Sequence, residues 1–202
     1  MLRIVNLEEI QGILLKIPSL VDLQEKRDTS FIQSVKEWLS SLEKALENNK
    51  MPLAGTIAAT RASLISTERG KMPEGVEFRR RTSGGNLKEA AAVGAIKKAG
   101  NIVYDAVKPD AERIAEAERT VRQLVAVARS KGIINNIEGN INFTENMHNL
   151  WQSLAADSDL RPGTTGVDGL VGPYDALILL DRVLTADRPH IKQSTELVFE
   201  LQ

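Results

Sequence analysis

The chain has 202 residues, with 26 Lys+Arg against 27 Asp+Glu and a formal net charge of -1, so no whole-protein field directs it to nucleic acid or a membrane. Its 42% hydrophobic and 26% charged residues are ordinary for a globular chain, and a core of this size closes without a metal or disulfide staple. The lack of Cys excludes disulfides, thiolate metal sites and cysteine nucleophiles, and two His exclude an all-histidine metal site within one chain.

Met1 to Asn6, followed by Glu8 and Glu9, does not supply the apolar core of a signal peptide, and no stretch of about 18 apolar residues occurs. A soluble, cytoplasmic protein without membrane association is the expectation. The sequon Asn142-Phe143-Thr144 then reads as a chance match.

A short helix is predicted over Leu7 to Ile17, opened by Asn6 with Glu9 at capping-box spacing and ended by Pro18-Ser19. Residues 19–27 are left open. The clearest helix covers 31–49, where Phe31, Val35, Trp38, Leu42 and Ala45 recur at steps of four and three. Asp28, Thr29 and Ser30 are its cap candidates. The next runs from Pro52 to about Arg69, with Leu53, Ile57 and Leu64 on one face and Gly70 just past the end.

A helix over about Leu87 to Val107, capped by Asn86, is rich in small residues: Ala90, Ala91, Ala92, Gly94, Ala95, Ala99 and Gly100. Either close helix approach or alanine's own propensity accounts for them. Pro109 is expected to begin a separate helix, since it fixes a helical φ but cannot donate to the preceding turn. That helix carries Ile114, Ala117, Val121, Leu124 and Ala128 and closes at Gly132. Two more open at Thr144, with Met147, Leu150, Trp151 and Leu154, and at Pro173, with Leu177, Leu180 and Leu184.

The fold class that follows is all-α: a single helical domain over 1–202, built as a bundle of five or six amphipathic helices in antiparallel hairpins. Ile4-Val5, Val76 to Phe78 and Leu197 to Leu201 leave room for a minor short β element. Residues 133–143 read as a hairpin or an irregular loop. Long loops are expected at 71–86 and 157–172.

The charge is unevenly placed. Residues 61–98 carry nine Lys/Arg against four Glu, and residues 145–202 carry four Lys/Arg against nine Asp/Glu. Such poles can dock within one chain, head to tail between copies, or onto a partner. The most suggestive segment lies in the basic pole, where Arg79, Arg80 and Arg81 lead into Ser83, Gly84, Gly85, Asn86 and Lys88 at a helix start. Glycines free the backbone, helix N-terminal N–H groups attract anions and guanidiniums grip phosphate oxygens. No phosphate-loop or dinucleotide-binding pattern accompanies them. Phe78 is the one aromatic beside the arginines, so nucleic acid would be held through its phosphates rather than by base stacking.

Asp157, Ser158, Asp159, Thr164, Thr165 and Asp168 supply oxygens over 157–173, but the EF-hand spacing is absent and a structural loop is the simpler reading. Glu112, Glu116, Glu118, Arg119 and Arg122 read as a solvated face. Within it, Glu118–Arg122 and the nearby Asp110–Arg113 form ion pairs worth about 0.2–0.5 kcal/mol each. His148 and His190 lack a nucleophile or carboxylate at a local spacing, and no hydrolase, zinc-protease or kinase signature occurs. Catalysis is the less favoured class; no catalytic residue, metal or cofactor is expected. The leading reading is a non-catalytic helical interaction protein (an assembly, adaptor or regulatory subunit of a complex) that packs on another protein or on its own copies. The alternative is nucleic-acid or nucleotide binding through the Arg79 to Arg81 loop and the helix start at Asn86.

Overall fold

In a computed structural model that describes residues 2–70, 84–134 and 143–186, the described residues form eight α-helices and no strand. The helices are α1 Ile4–Leu14, α2 Ile17–Glu25, α3 Phe31–Asn48, α4 Leu53–Glu68, α5 Gly84–Ser130, α6 Phe143–Ala156, α7 Arg161–Val171 and α8 Pro173–Ala186. The all-α expectation holds, and the count of five or six helices is corrected. Contacts divide the chain into two units, Met1–Ala111 and Glu112–Gln202, with α5 contributing to each.

In the first unit, α3 and α4 form the most extensive helix pair, and α1 and α2 both pack on α3. The stripe predicted on α3 is buried throughout: Phe31, Val35, Trp38, Leu42 and Ala45, joined by Leu39 and Leu46. Asp28 accepts the backbone N–H of Ser30 at 2.8 Å just before the helix. That bond holds the Asp28 carboxyl below the ordinary carboxylate range. The Trp38 indole donates at 2.8 Å to the carbonyl of Ile13, one of the last residues of α1. The same carbonyl accepts the Lys16 N–H at 3.2 Å, so the indole adds a second donor there and ties α3 to the end of α1.

The N-terminal expectation needs correction. Ile4-Val5 is helical rather than extended, and Asn6 lies inside α1, so the Asn6–Glu9 capping box does not form. Pro18 does not end a helix but occupies the first turn of α2, where its missing N–H costs nothing. Three contacts lay α1 and α2 antiparallel to the first half of α5. The Leu2 N–H donates to Asp110 at 3.2 Å, Ile17 sits against Gly100 and Gln24 donates to Glu89 at 3.1 Å.

Pro109 does not start a helix either; α5 runs through it. Proline at this position removes a hydrogen bond to the carbonyl of Asp105. Both residues are exposed, so water can solvate that carbonyl. The buried face meanwhile continues across the proline, through Val103, Val107, Ile114, Ala117 and Val121. Between Val107 and Ile114 the stripe position falls to half-buried Asp110, whose carboxylate is taken up by Leu2. Of the small residues, Ala92, Ala95, Ala99 and Gly100 are buried, whereas Ala90 and Gly94 face solvent.

In the second unit, α6, α7 and α8 pack on one another. Residues 157–172, expected as a loop, instead hold α7. Leu160, Thr164, Val167 and Val171 recur at four, three and four, a helical stripe whose one hydroxyl hides it from an apolar count. The Asp157 carboxylate accepts the N–H groups of Asp159 and Leu160 at 2.9 and 3.2 Å, and Pro162 follows in the first turn. Gly163 permits a close approach, since a Cβ there would lie 2.8 Å from Leu124. Gly70, Gly132 and Gly172 follow α4, α5 and α7 with positive φ, where glycine carries no steric penalty. The segments 71–83, 135–142 and 187–202, with the strand readings at Val76 to Phe78 and Leu197 to Leu201, lie outside the described residues.

Trp38 is 4% exposed and Trp151 6% exposed. Trp38→Ala should destabilise the protein by about 3–5 kcal/mol in denaturant unfolding, through lost burial, the cavity left behind and the lost hydrogen bond to Ile13. A loss below about 1 kcal/mol would contradict this account of the α1–α3 contact.

Candidate functional site

Of the residues singled out in sequence, Arg79, Arg80, Arg81 and Ser83 lie outside the described residues, as does His190. Gly84, Gly85 and Asn86 form the first turn of α5, and Lys88 is half-buried one turn further on. The helix therefore starts slightly earlier than the Asn86 cap predicted. His148 is exposed on α6 and shares a hydrogen bond with Gln152 at 2.8 Å. Glu118 and Arg122 make the expected pair at 2.5 Å. Among the described residues, no three His, Asp or Glu side chains are grouped as metal ligands. No helix among them is long and apolar enough to cross a membrane.

Two charged clusters have structural explanations. The first lines an open cleft of about 400 Å³ between α3 and α4. There Lys36 pairs with Glu68 at 2.9 Å, and Gln33 donates to Glu37 at 2.7 Å. Arg61, also on the cleft wall, pairs with Glu43 at 2.8 Å. The two ion pairs join α3 to α4, and the Gln33–Glu37 bond lies along α3. The second cluster is the acidic segment weighed as a cation site. Lys131, just past α5, reaches both carboxylate oxygens of Asp157 at 2.8 and 3.0 Å and Asp159 at 2.5 Å. The oxygens that a cation would need thus bind an ammonium and the start of α7. Asp168 is likewise engaged, accepting the Trp151 indole N–H at 3.2 Å. Arg113 donates to the Leu170 carbonyl in the last turn of α7, where a cation also complements the helix dipole.

A surface without such pairing is the outer face of α5 between Ala90 and Pro109. Val93 is 41% exposed and Tyr104 49% exposed. Lys97, Lys98, Asn101 and Asp105 are exposed beside them. None of these four polar residues has a hydrogen-bond or ion-pair partner among the described residues. In the sequence, the small residues of the same helix make its buried side the more conspicuous one. The available signal was a tyrosine set among lysines on a polar face.

No protein family, curated protein or solved structure matches this chain. The functional reading therefore stands on its residues.

The Lys131 cluster makes a pH prediction. Its hydrogen bonds hold the Asp157 carboxyl below the ordinary carboxylate range and the Lys131 ammonium above the ordinary lysine range. A lowered carboxyl contributes stability above its unfolded value and loses it as pH falls through its folded value. A raised ammonium contributes below its unfolded value and loses it as pH rises through its folded value. The stability difference between the wild type and Lys131→Met should thus be greatest near neutrality and close at both acid and alkaline ends. A difference independent of pH in thermal unfolding would refute the cluster's contribution.

Proposed function

We propose that this chain is a non-catalytic helical interaction protein, an assembly, adaptor or regulatory subunit that docks on protein. The observation that supports this reading is the outer face of α5, where exposed Val93 and Tyr104 stand among Lys97, Lys98 and Asp105. An exposed aromatic gives a large contact area with few rotors to freeze, and unpaired charges around it select a complementary surface. Among the described residues, Asp157, Asp159 and Asp168, which the sequence made suggestive, are engaged in internal bonds.

A photoreactive side chain placed at Tyr104 in the full chain should yield a discrete adduct heavier than 22.2 kDa in cells, and one placed at exposed Lys44 on α3 should not. Absence of any adduct at position 104, in a protein that folds normally by circular dichroism, would overturn the reading.

The start of α5 at Gly84 favours a second reading, in which the N–H groups of the helix start and Arg79, Arg80 and Arg81, which precede it in sequence, hold the phosphates of a nucleic acid or nucleotide. Replacing the three arginines by Ser should then weaken oligonucleotide binding and flatten its dependence on salt. Oligonucleotide binding with the wild-type salt slope in that variant would discard it.

A further inference from the structure

The face that supports the interaction reading also has the symmetry of a self-complementary surface. At about 1.5 Å of rise and 100° of turn per residue, Asn101 lies at the centre of the exposed face. Lys97 and Tyr104 fall on one side of it, and Lys98 and Asp105 fall on the other. In height, Lys97 and Lys98 lie about 4.5–6 Å toward the N-terminus, and Tyr104 and Asp105 about 4.5–6 Å toward the C-terminus. A two-fold axis through Asn101, perpendicular to the helix, therefore brings Lys98 opposite Asp105 of a second copy and Lys97 over the ring of its Tyr104. Each contact occurs twice. Gly94, with open space where a Cβ would stand, lets the second helix pass close at each end.

We infer that a second copy of this chain docks antiparallel on the outer face of α5, centred on Asn101, through reciprocal Lys98–Asp105 ion pairs and Lys97–Tyr104 cation–π contacts. The inference rests on the interaction reading and names the partner for the same surface. Within one helix, residues 98 and 105 are seven apart, about 10.5 Å along the axis, so their charges do not neutralise each other internally. Across the two-fold axis, at a helix spacing of about 8–10 Å, they meet. Each isologous contact uses the same patch on both copies, as closed dimers require. One pair of helices buries less than the roughly 1,200 Å² of a standard interface, so the dimer is weak and reversible.

Sedimentation equilibrium of the full chain at low salt, over a concentration series reaching the millimolar range, tests this. The wild-type mass should climb from 22.2 kDa toward twice that value. Lys98→Glu and Asp105→Lys should each weaken association by about tenfold or more, because each substitution sets like charges face to face twice. The double variant Lys98→Glu/Asp105→Lys should restore it, since the pairs re-form with their signs exchanged. Circular dichroism of each variant should match the wild type, all the changes being on an exposed face. A wild-type mass fixed at 22.2 kDa at every concentration overturns the inference, while an adduct of another protein at position 104 would leave the interaction reading standing. Self-association that is indifferent to the single reversals, or not recovered in the double variant, also overturns this interface, and self-association itself then keeps the broader reading.

Discussion

The buried stripe of α5 is the constraint on which the rest of the structure depends. It supplies Ala92, Ala95, Ile96, Ala99, Val103 and Val107 to the first unit, then Ile114, Ala117, Val121, Leu124, Val125 and Ala128 to the second. The proline in its middle sits on the solvent side, where losing one hydrogen bond leaves a carbonyl to water rather than in an apolar interior. Burial of the stripe on both sides outweighs the local cost, about 3 kcal/mol for a proline within a helix. The same logic explains Asp110. A carboxylate in a stripe position would be costly alone, and the N–H of Leu2 makes it the point where the N-terminal segment is fastened.

Most of the fold was legible because its helices declare themselves by apolar spacing. The stripes of α3, α4 and α6 can be read directly from Phe31, Ile57 and Met147 with their neighbours at three and four, whereas in α8 only Leu180 of the expected Leu177, Leu180 and Leu184 is buried, beside Ala176, Leu179 and Val183. The differences share a physical origin, in that the continuity of a buried face overrides local punctuation. Pro18 looked like a stop and serves as a start. Pro109 looked like a start and is passed over. In 157–172 the glycines and threonines looked like a loop, yet Thr164 is 1% exposed, its hydroxyl bonded at 2.9 Å to the carbonyl of Arg161. A threonine that satisfies its own hydroxyl can hold a core position, so an apolar count underestimates such a stripe.

The site was less legible than the fold. Basic residues and glycines at 79–88 have the chemistry to hold an anion, but a sequence does not state which charges are already used. The structure supplies that information for the described residues. Lys131 occupies Asp157 and Asp159, Trp151 occupies Asp168, and Lys36 and Arg61 bridge to glutamates beside the cleft between α3 and α4. The outer face of α5 is among the surfaces whose charges are not so used, on the helix whose other side is conspicuous in sequence.

The two sides of α5 divide the work by residue size and charge. Inward, Ala92, Ala95 and Ala99 keep the helix close to its neighbours, and Gly100 takes Ile17 from α2. Outward, the helix places two lysines below Asn101 and a tyrosine with an aspartate above it, at intervals of seven residues. A spacing of three or four would have let these groups pair along the helix, as Glu118 and Arg122 do further on. At seven they share a face without reaching one another, so their attraction is left for a surface outside the helix. An antiparallel copy of the same sequence presents that surface in the matching order.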